Sequence, residues 1–193
     1  MEYDPFEPPI PTAYKIVIAG GFGVGKTTLV AAVSEIQPFL TEELLTETGV
    51  GVDDTTHVQT KATTTVALDF GRITIGEEVV LYLFGTPGQD RFMFVWDELV
   101  EGALGAVVVA DTRRLEDSFD SIDYFEGRGT PFLVAVNCFD GTRAYAVEEV
   151  KAALNLDEHV PVVTCDARRR ESVKEVLIGL LEHLLTMRIG SAI

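Results

Sequence analysis

Basic residues are scarce in this chain. Lys and Arg number 15 against 31 Asp and Glu, a formal net charge of −16 over 193 residues. So acidic a surface repels phosphate backbones and anionic lipid, which argues against nucleic-acid binding and against a polybasic membrane anchor. Cysteine is scarce too. Cys138 and Cys165 cannot build a disulfide framework, and a reduced, cytoplasmic protein is the expectation. The three histidines, His57, His159 and His183, have no ligand-like spacing, so zinc is not expected. No apolar run approaches the roughly 18 residues of a membrane-spanning helix. The opening residues are acidic and proline-rich, with no basic stretch ahead of an apolar one, so no secretory leader is read there. Glu2 argues against myristoylation, and Gly190–Ile193 offers no cysteine for prenylation.

Apolar residues, by contrast, make up 47% of the chain, enough for a buried core. Residues 1–12, with Pro5, Pro8, Pro9 and Pro11 among acids, read as a flexible tail, and residues 13–193 as one domain. Tyr14–Ala19 is β-branched and bounded by glycine, which predicts a strand. Leu29, Val33 and Ile36 fall on one face of a following helix. Residues 38–61 are polar and irregular, and read as a long functional loop. Thr65–Ile75 and Val79–Phe84 predict a hairpin, and Asp90–Glu101 a helix. Strands at Ala106–Ala110, Pro131–Val136 and Val160–Thr164 then alternate with helices near residues 115–126, 147–154 and 173–184. The expectation is an α/β, three-layer fold, with a six-stranded, mostly parallel sheet and about five helices.

The strongest motif lies between the first strand and the first helix. Gly20-Gly21-Phe22-Gly23-Val24-Gly25-Lys26-Thr27, followed by Thr28, fits the phosphate-loop pattern G-x-x-x-x-G-K-[ST] in the position that pattern requires. Glycines let backbone N–H groups approach a phosphate closely, and the helix N-terminus adds partial positive charge. Lys26 is suited to the β- and γ-oxygens, and the Thr27 hydroxyl to Mg²⁺. The pattern indicates a nucleoside triphosphate but selects neither the base nor the reaction.

Further motifs follow in a recognisable order. Thr65-Val-Ala-Leu-Asp69-Phe70 precedes the hairpin, Gly85-Thr86-Pro87-Gly88-Gln89-Asp90 follows its second strand, Asn137-Cys138-Phe139-Asp140 follows a later one, and Thr164-Cys165-Asp166-Ala167-Arg168 the last. With these, the chain resembles a Ras-like small GTPase of the prokaryotic gliding-motility (MglA-like) group, and within it the conservon-type proteins. The resemblance implies a P-loop G-domain that binds GTP or GDP with Mg²⁺. It implies a catalytic set of Lys26, Thr65 and Gln89, with Thr65 meeting the γ-phosphate and Gln89 orienting the attacking water. Thr27 and Thr65 would hold the metal, and the Gly88 N–H would sense the γ-phosphate. Asn137, Asp140, Asp166, Ala167 and Arg168 would form the base site. There the Asp140 carboxylate would accept two guanine N–H groups that adenine lacks, and the Ala167 N–H would face guanine O6.

Three positions depart from the family pattern. Gly85 stands where an aspartate usually supports Mg²⁺ through water, Cys138 where a lysine usually covers the base, and Pro87 stiffens the second switch. They bear on hydrolysis more than on binding. Without an activating partner such enzymes turn over on the order of 10⁻⁴–10⁻³ s⁻¹. The resemblance therefore implies regulatory partners: a GTPase-activating or roadblock-type protein, and a sensor or receptor module at a membrane reached indirectly. Two other readings stay open. One is a nucleotide-bound interaction module with little hydrolysis. The other is an ATP-dependent phosphotransferase, which the absence of an arginine-rich lid and the presence of Asp140 oppose. Asp111, at a strand end, suits a helix cap or loop better than a metal, and Trp96 suits core packing or a partner surface.

Overall fold

The computed structural model describes residues 11–37, 39–46, 63–88 and 94–190. The tail read for residues 1–12 lies almost wholly outside them, and Thr12 already opens the first strand. The elements run β1 (Thr12–Ala19), α1 (Lys26–Val33), β2 (Phe39–Thr46), β3 (Thr63–Ile75), β4 (Val79–Gly85), α2 (Trp96–Val100) and β5 (Ala103–Ala110). A 3-10 turn (Leu115–Ser118) leads into α3 (Phe119–Arg128), followed by β6 (Phe132–Asn137), α4 (Val147–Ala153), β7 (Val162–Cys165) and α5 (Arg170–Gly190).

The sheet order is β2-β3-β4-β1-β5-β6-β7. All six strands expected from the sequence are present and the sheet is mostly parallel, with α-helices on both faces. β2 joins it as a further strand at the margin, where the sequence reads as loop. It pairs antiparallel with β3, which pairs antiparallel with β4. The parallel strands are apolar on both sides because both faces are covered. Along β1, Ile16 and Ile18 enter a core with Leu29, Val30 and Val33 of α1 and Val173, Val176, Leu177 and Leu180 of α5. Val17 and Ala19 point the other way, into a core with Trp96, Ile122, Phe125 and Val150. The strand period of two thus divides one sequence between two hydrophobic layers. Trp96 is buried against Tyr124 and Phe125, with ring centroids 5.1 and 6.1 Å away, so the core reading of this residue holds. Among the described residues, no helix is long and apolar enough to cross a membrane.

This topology places the loops after β1, β4, β6 and β7 at the carboxyl ends of the parallel strands. β1 is flanked by β4 and β5, so chain segments leave it in opposite directions. That is where open α/β sheets form their ligand crevice.

Candidate functional site

The phosphate loop turns through left-handed backbone at Gly23 and Gly25, with φ 75° and 109°. Gly25 is fixed by space as well as by φ. A Cβ there would stand 2.6 Å from Asn137 Nδ2. Val24 is buried and anchors the loop, whereas Phe22 is exposed. Lys26 opens α1 and curls back, its Nζ donating to the carbonyls of Gly20 at 2.8 Å and Gly21 at 2.7 Å. Burial lowers its pKa to about 8, a shift that the nearby Asp69 carboxylate opposes. Gly88 lies directly over this ammonium: a Cβ on it would sit 2.6 Å from Lys26 Nζ. The loop after β4 therefore touches the phosphate loop at Gly88.

A cavity of about 380 Å³ opens beside these groups. Phe22, Gly23, Gly25, Lys26, Thr27, Thr28, Asp69, Thr86, Pro87 and Gly88 line it. Two of these residues were not singled out from the sequence. Asp69, on β3, accepts the Thr27 hydroxyl at 2.7 Å on Oδ2. It is also the register partner of Gly85 on β4. A Cβ at Gly85 would lie 2.8 Å from the Asp69 Cβ and Oδ2. The carboxylate that the second switch motif lacks at residue 85 is thus delivered to the same place by the neighbouring strand. The only signal for this in the sequence is a register, which spacing along one strand does not reveal. Thr86 is the second addition. Its hydroxyl is buried at the cavity wall and makes no hydrogen bond, so a polar ligand there would satisfy it.

Thr65 lies in β3 opposite Leu44 of β2. Four strand steps, roughly 13 Å, separate it from Asp69. The structure therefore does not bring Thr65 beside Thr27, and the oxygen partner of Thr27 here is Asp69. Gln89 lies outside the described residues.

The loops after β6 and β7 lie beside the phosphate loop. Asn137 ends β6 buried, and its side chain links two loops. Nδ2 donates to the Val24 carbonyl at 2.9 Å, and Oδ1 accepts the Ala167 N–H at 3.0 Å. The Ala167 amide is thereby committed to Asn137, where the sequence reading had it face guanine O6. Asp140 is exposed on the loop beyond, bound by Arg168, which also binds Asp166. Arg168 holds Asp140 below the usual carboxylate range and brings Asp166 to about 2. Asp111 is fully buried at the end of β5 and pairs with Arg113 at 2.6 Å. The Arg113 guanidinium in turn lies 3.8 Å from the centroid of the Phe139 ring. Asp111 therefore braces the loop after β6. Arg113 keeps its carboxyl below the usual range, so its contribution to stability is fully present above that range and is lost as pH falls below it, through the lowered value. Cys138 N–H donates to the Cys165 carbonyl at 2.7 Å, and both thiols are free.

Known proteins share this fold. The family described as "Conserved hypothetical ATP binding protein" matches residues 18–187. An uncharacterised protein of Methanocaldococcus jannaschii is 31% identical over 65% of this chain and 70% of its own length. The Ras-related protein RABA6a of Arabidopsis thaliana is 27% identical over 99% of this chain and 79% of its own. Among solved structures, the G domain of the T. maritima FeoB iron transporter superposes with a TM-score of 0.62 at 20% identity, covering 89% of this chain and 99% of that one. The FeoB G domain of Methanococcus jannaschii does so with a TM-score of 0.59 at 17% identity, over 89% and 97%. The fold is that of small-GTPase-like P-loop proteins.

Proposed function

The chain belongs to the family described as conserved hypothetical ATP-binding proteins, and we propose that it acts there as a GTP/GDP switch with slow, Mg²⁺-dependent GTP hydrolysis. One observation carries the reading. The Asn137 side chain ties the phosphate loop at Val24 to the loop after β7 at Ala167, which supports a base site beside the phosphate site, with Asp140 of the same loop as Asn137 in it. A carboxylate there accepts the N1–H and N2–H₂ pair of guanine. Adenine has no such pair, and a site built for it rejects the analogue strongly. The similarity to Ras-related proteins over nearly the whole chain supports the same nucleotide. Within that superfamily, the motif-level likeness to MglA-like and conservon-type proteins supports regulation by a roadblock-type or other activating partner and by a sensor module.

The residues present fit a magnesium ion. Thr27 and Asp69 offer hard oxygens side by side at the phosphate cavity, and the unpaired Thr86 hydroxyl can bind water or phosphate. The ion, when bound, neutralises charge on the β- and γ-oxygens. Lys26 exchanges its two loop carbonyls for phosphate oxygens. The Gly88 N–H faces the γ-phosphate, and Gln89 orients the attacking water. Thr65 takes its part only when the start of β3 is carried toward Thr27, a segment movement of the kind a γ-phosphate drives in switch proteins.

The family description names ATP, which favours an adenine-nucleotide reading, and titration separates the two. Wild-type protein with Mg²⁺ is expected to bind GDP more tightly than ADP. The Asp140→Asn variant is expected to lose about ten- to hundredfold in GDP affinity and to gain xanthine nucleotide, because an amide presents a donor where guanine needs an acceptor. ADP preference, or GDP binding untouched by Asp140→Asn, would sink the guanine assignment. Single-turnover GTP hydrolysis then separates a switch from an interaction module that scarcely turns over.

A further inference from the structure

We propose that Arg168 guards the base pocket: its guanidinium holds Asp140 with the same fork of parallel N–H donors that guanine presents, so a guanine must displace it to bind. The inference rests on the guanine reading of Asp140. The grip is bidentate, with Nη1 donating to Asp140 Oδ2 at 2.5 Å and Nη2 to Oδ1 at 3.0 Å. The same guanidinium is held from its other side, Nε donating to Asp166 Oδ1 at 2.8 Å and Nη2 to Asp166 Oδ2 at 3.0 Å. Two carboxylates, one after β6 and one after β7, thus share a single cation across the mouth of the base site.

Chemistry makes this contact selective. Guanine N1–H and N2–H₂ form a planar donor pair addressed to one carboxylate, and a guanidinium offers the same fork. The two compete for the same oxygens. Adenine makes no such demand on Asp140 and can bind with the Arg168 contact in place. Arg168 therefore sets guanine affinity and leaves adenine affinity alone. The arm can swing because its side chain is 53% exposed and that of Asp140 is 83% exposed. On displacement it keeps Asp166, which turns the guanidinium aside. A lysine is a point charge without the fork and would compete poorly.

Exposed ion pairs are modest, which makes the effect small but measurable. Replacing Arg168 with alanine is expected to raise GDP affinity about two- to fivefold, chiefly through faster association, and to leave ADP affinity unchanged. Arg168→Lys should fall between wild type and Arg168→Ala. Circular-dichroism melts confirm that each variant is folded. GDP affinity that is unchanged or lower in Arg168→Ala overturns the guard, and so does an equal gain for ADP. The wild-type titration reports separately on the base. ADP preference there removes the guanine reading and this proposal with it, whereas GDP preference with no response to Arg168→Ala removes only the guard.

Discussion

Cys138 and Cys165 sit on adjacent strand ends in very different surroundings. Cys138 is exposed. Cys165 is buried, and burial pushes its thiol up to about 12. The thiolate is the reactive form, so near pH 8 Cys165 has almost none. Iodoacetamide at that pH is expected to label native protein once, at Cys138, with the second adduct appearing only after denaturation. Intact-mass analysis reads this directly, and two adducts on the native protein would contradict the packing around β7. At this scale the sequence is legible where chemistry is local. Lys26 and Thr27 follow from a motif whose spacing is the mechanism, and Asn137 and Asp140 from their order after a strand. Asp69 and Thr86 are not legible in that way. Asp69 gains its place from strand pairing, and Thr86 is notable only because its buried hydroxyl has no partner.

Between elements, the β3–β4 pairing is the arrangement on which the site depends. Asp69 and Gly85 are opposite one another, and one position carries the carboxylate while the other makes room for it. Writing the usual family residue back alone, Gly85→Asp, should therefore harm the protein. Its Cβ would meet Asp69 at 2.8 Å, and two carboxylates would crowd one space. We expect the single variant to lose stability by about 1–3 kcal/mol in urea unfolding and to bind Mg²⁺·GDP poorly. The exchange variant Asp69→Gly with Gly85→Asp should recover much of both. Failure of the exchange would mean that the carboxylate acts from β3 alone. Element identities were readable where the pattern is strong: Val107–Ala110 and Leu133–Val136 are continuous apolar runs, and both are strands. β2 was not readable. Phe39-Leu-Thr-Glu-Glu-Leu-Leu-Thr46 does not alternate, and it becomes a strand because β3 offers it a partner. The helix expected over Asp90–Glu101 is described only as Trp96–Val100, the turn that Trp96 fixes against α3.

For the whole molecule, a ligand that bridges the loops after β1, β4, β6 and β7 stabilises the fold by linkage. At a hundredfold excess over Kd the gain is about 2.7 kcal/mol. In a chain of this size that corresponds to a rise in melting temperature of about 5–10 °C. Mg²⁺·GDP is expected to give such a shift in a thermal-denaturation scan, and Mg²⁺·ADP at equal concentration a smaller one. Equal shifts would place the binding energy in the phosphates alone. Three glycines make this ligand site possible by what they leave out. Gly25 yields space to the Asn137 amide, Gly88 to the Lys26 ammonium and Gly85 to the Asp69 carboxylate. For a gene under random mutation these are three codons at which every missense change adds atoms where a working group already stands. A mutational scan read by nucleotide retention should show all three as intolerant of every substitution, tracing part of the outline of the site from residues that never touch the ligand with a side chain.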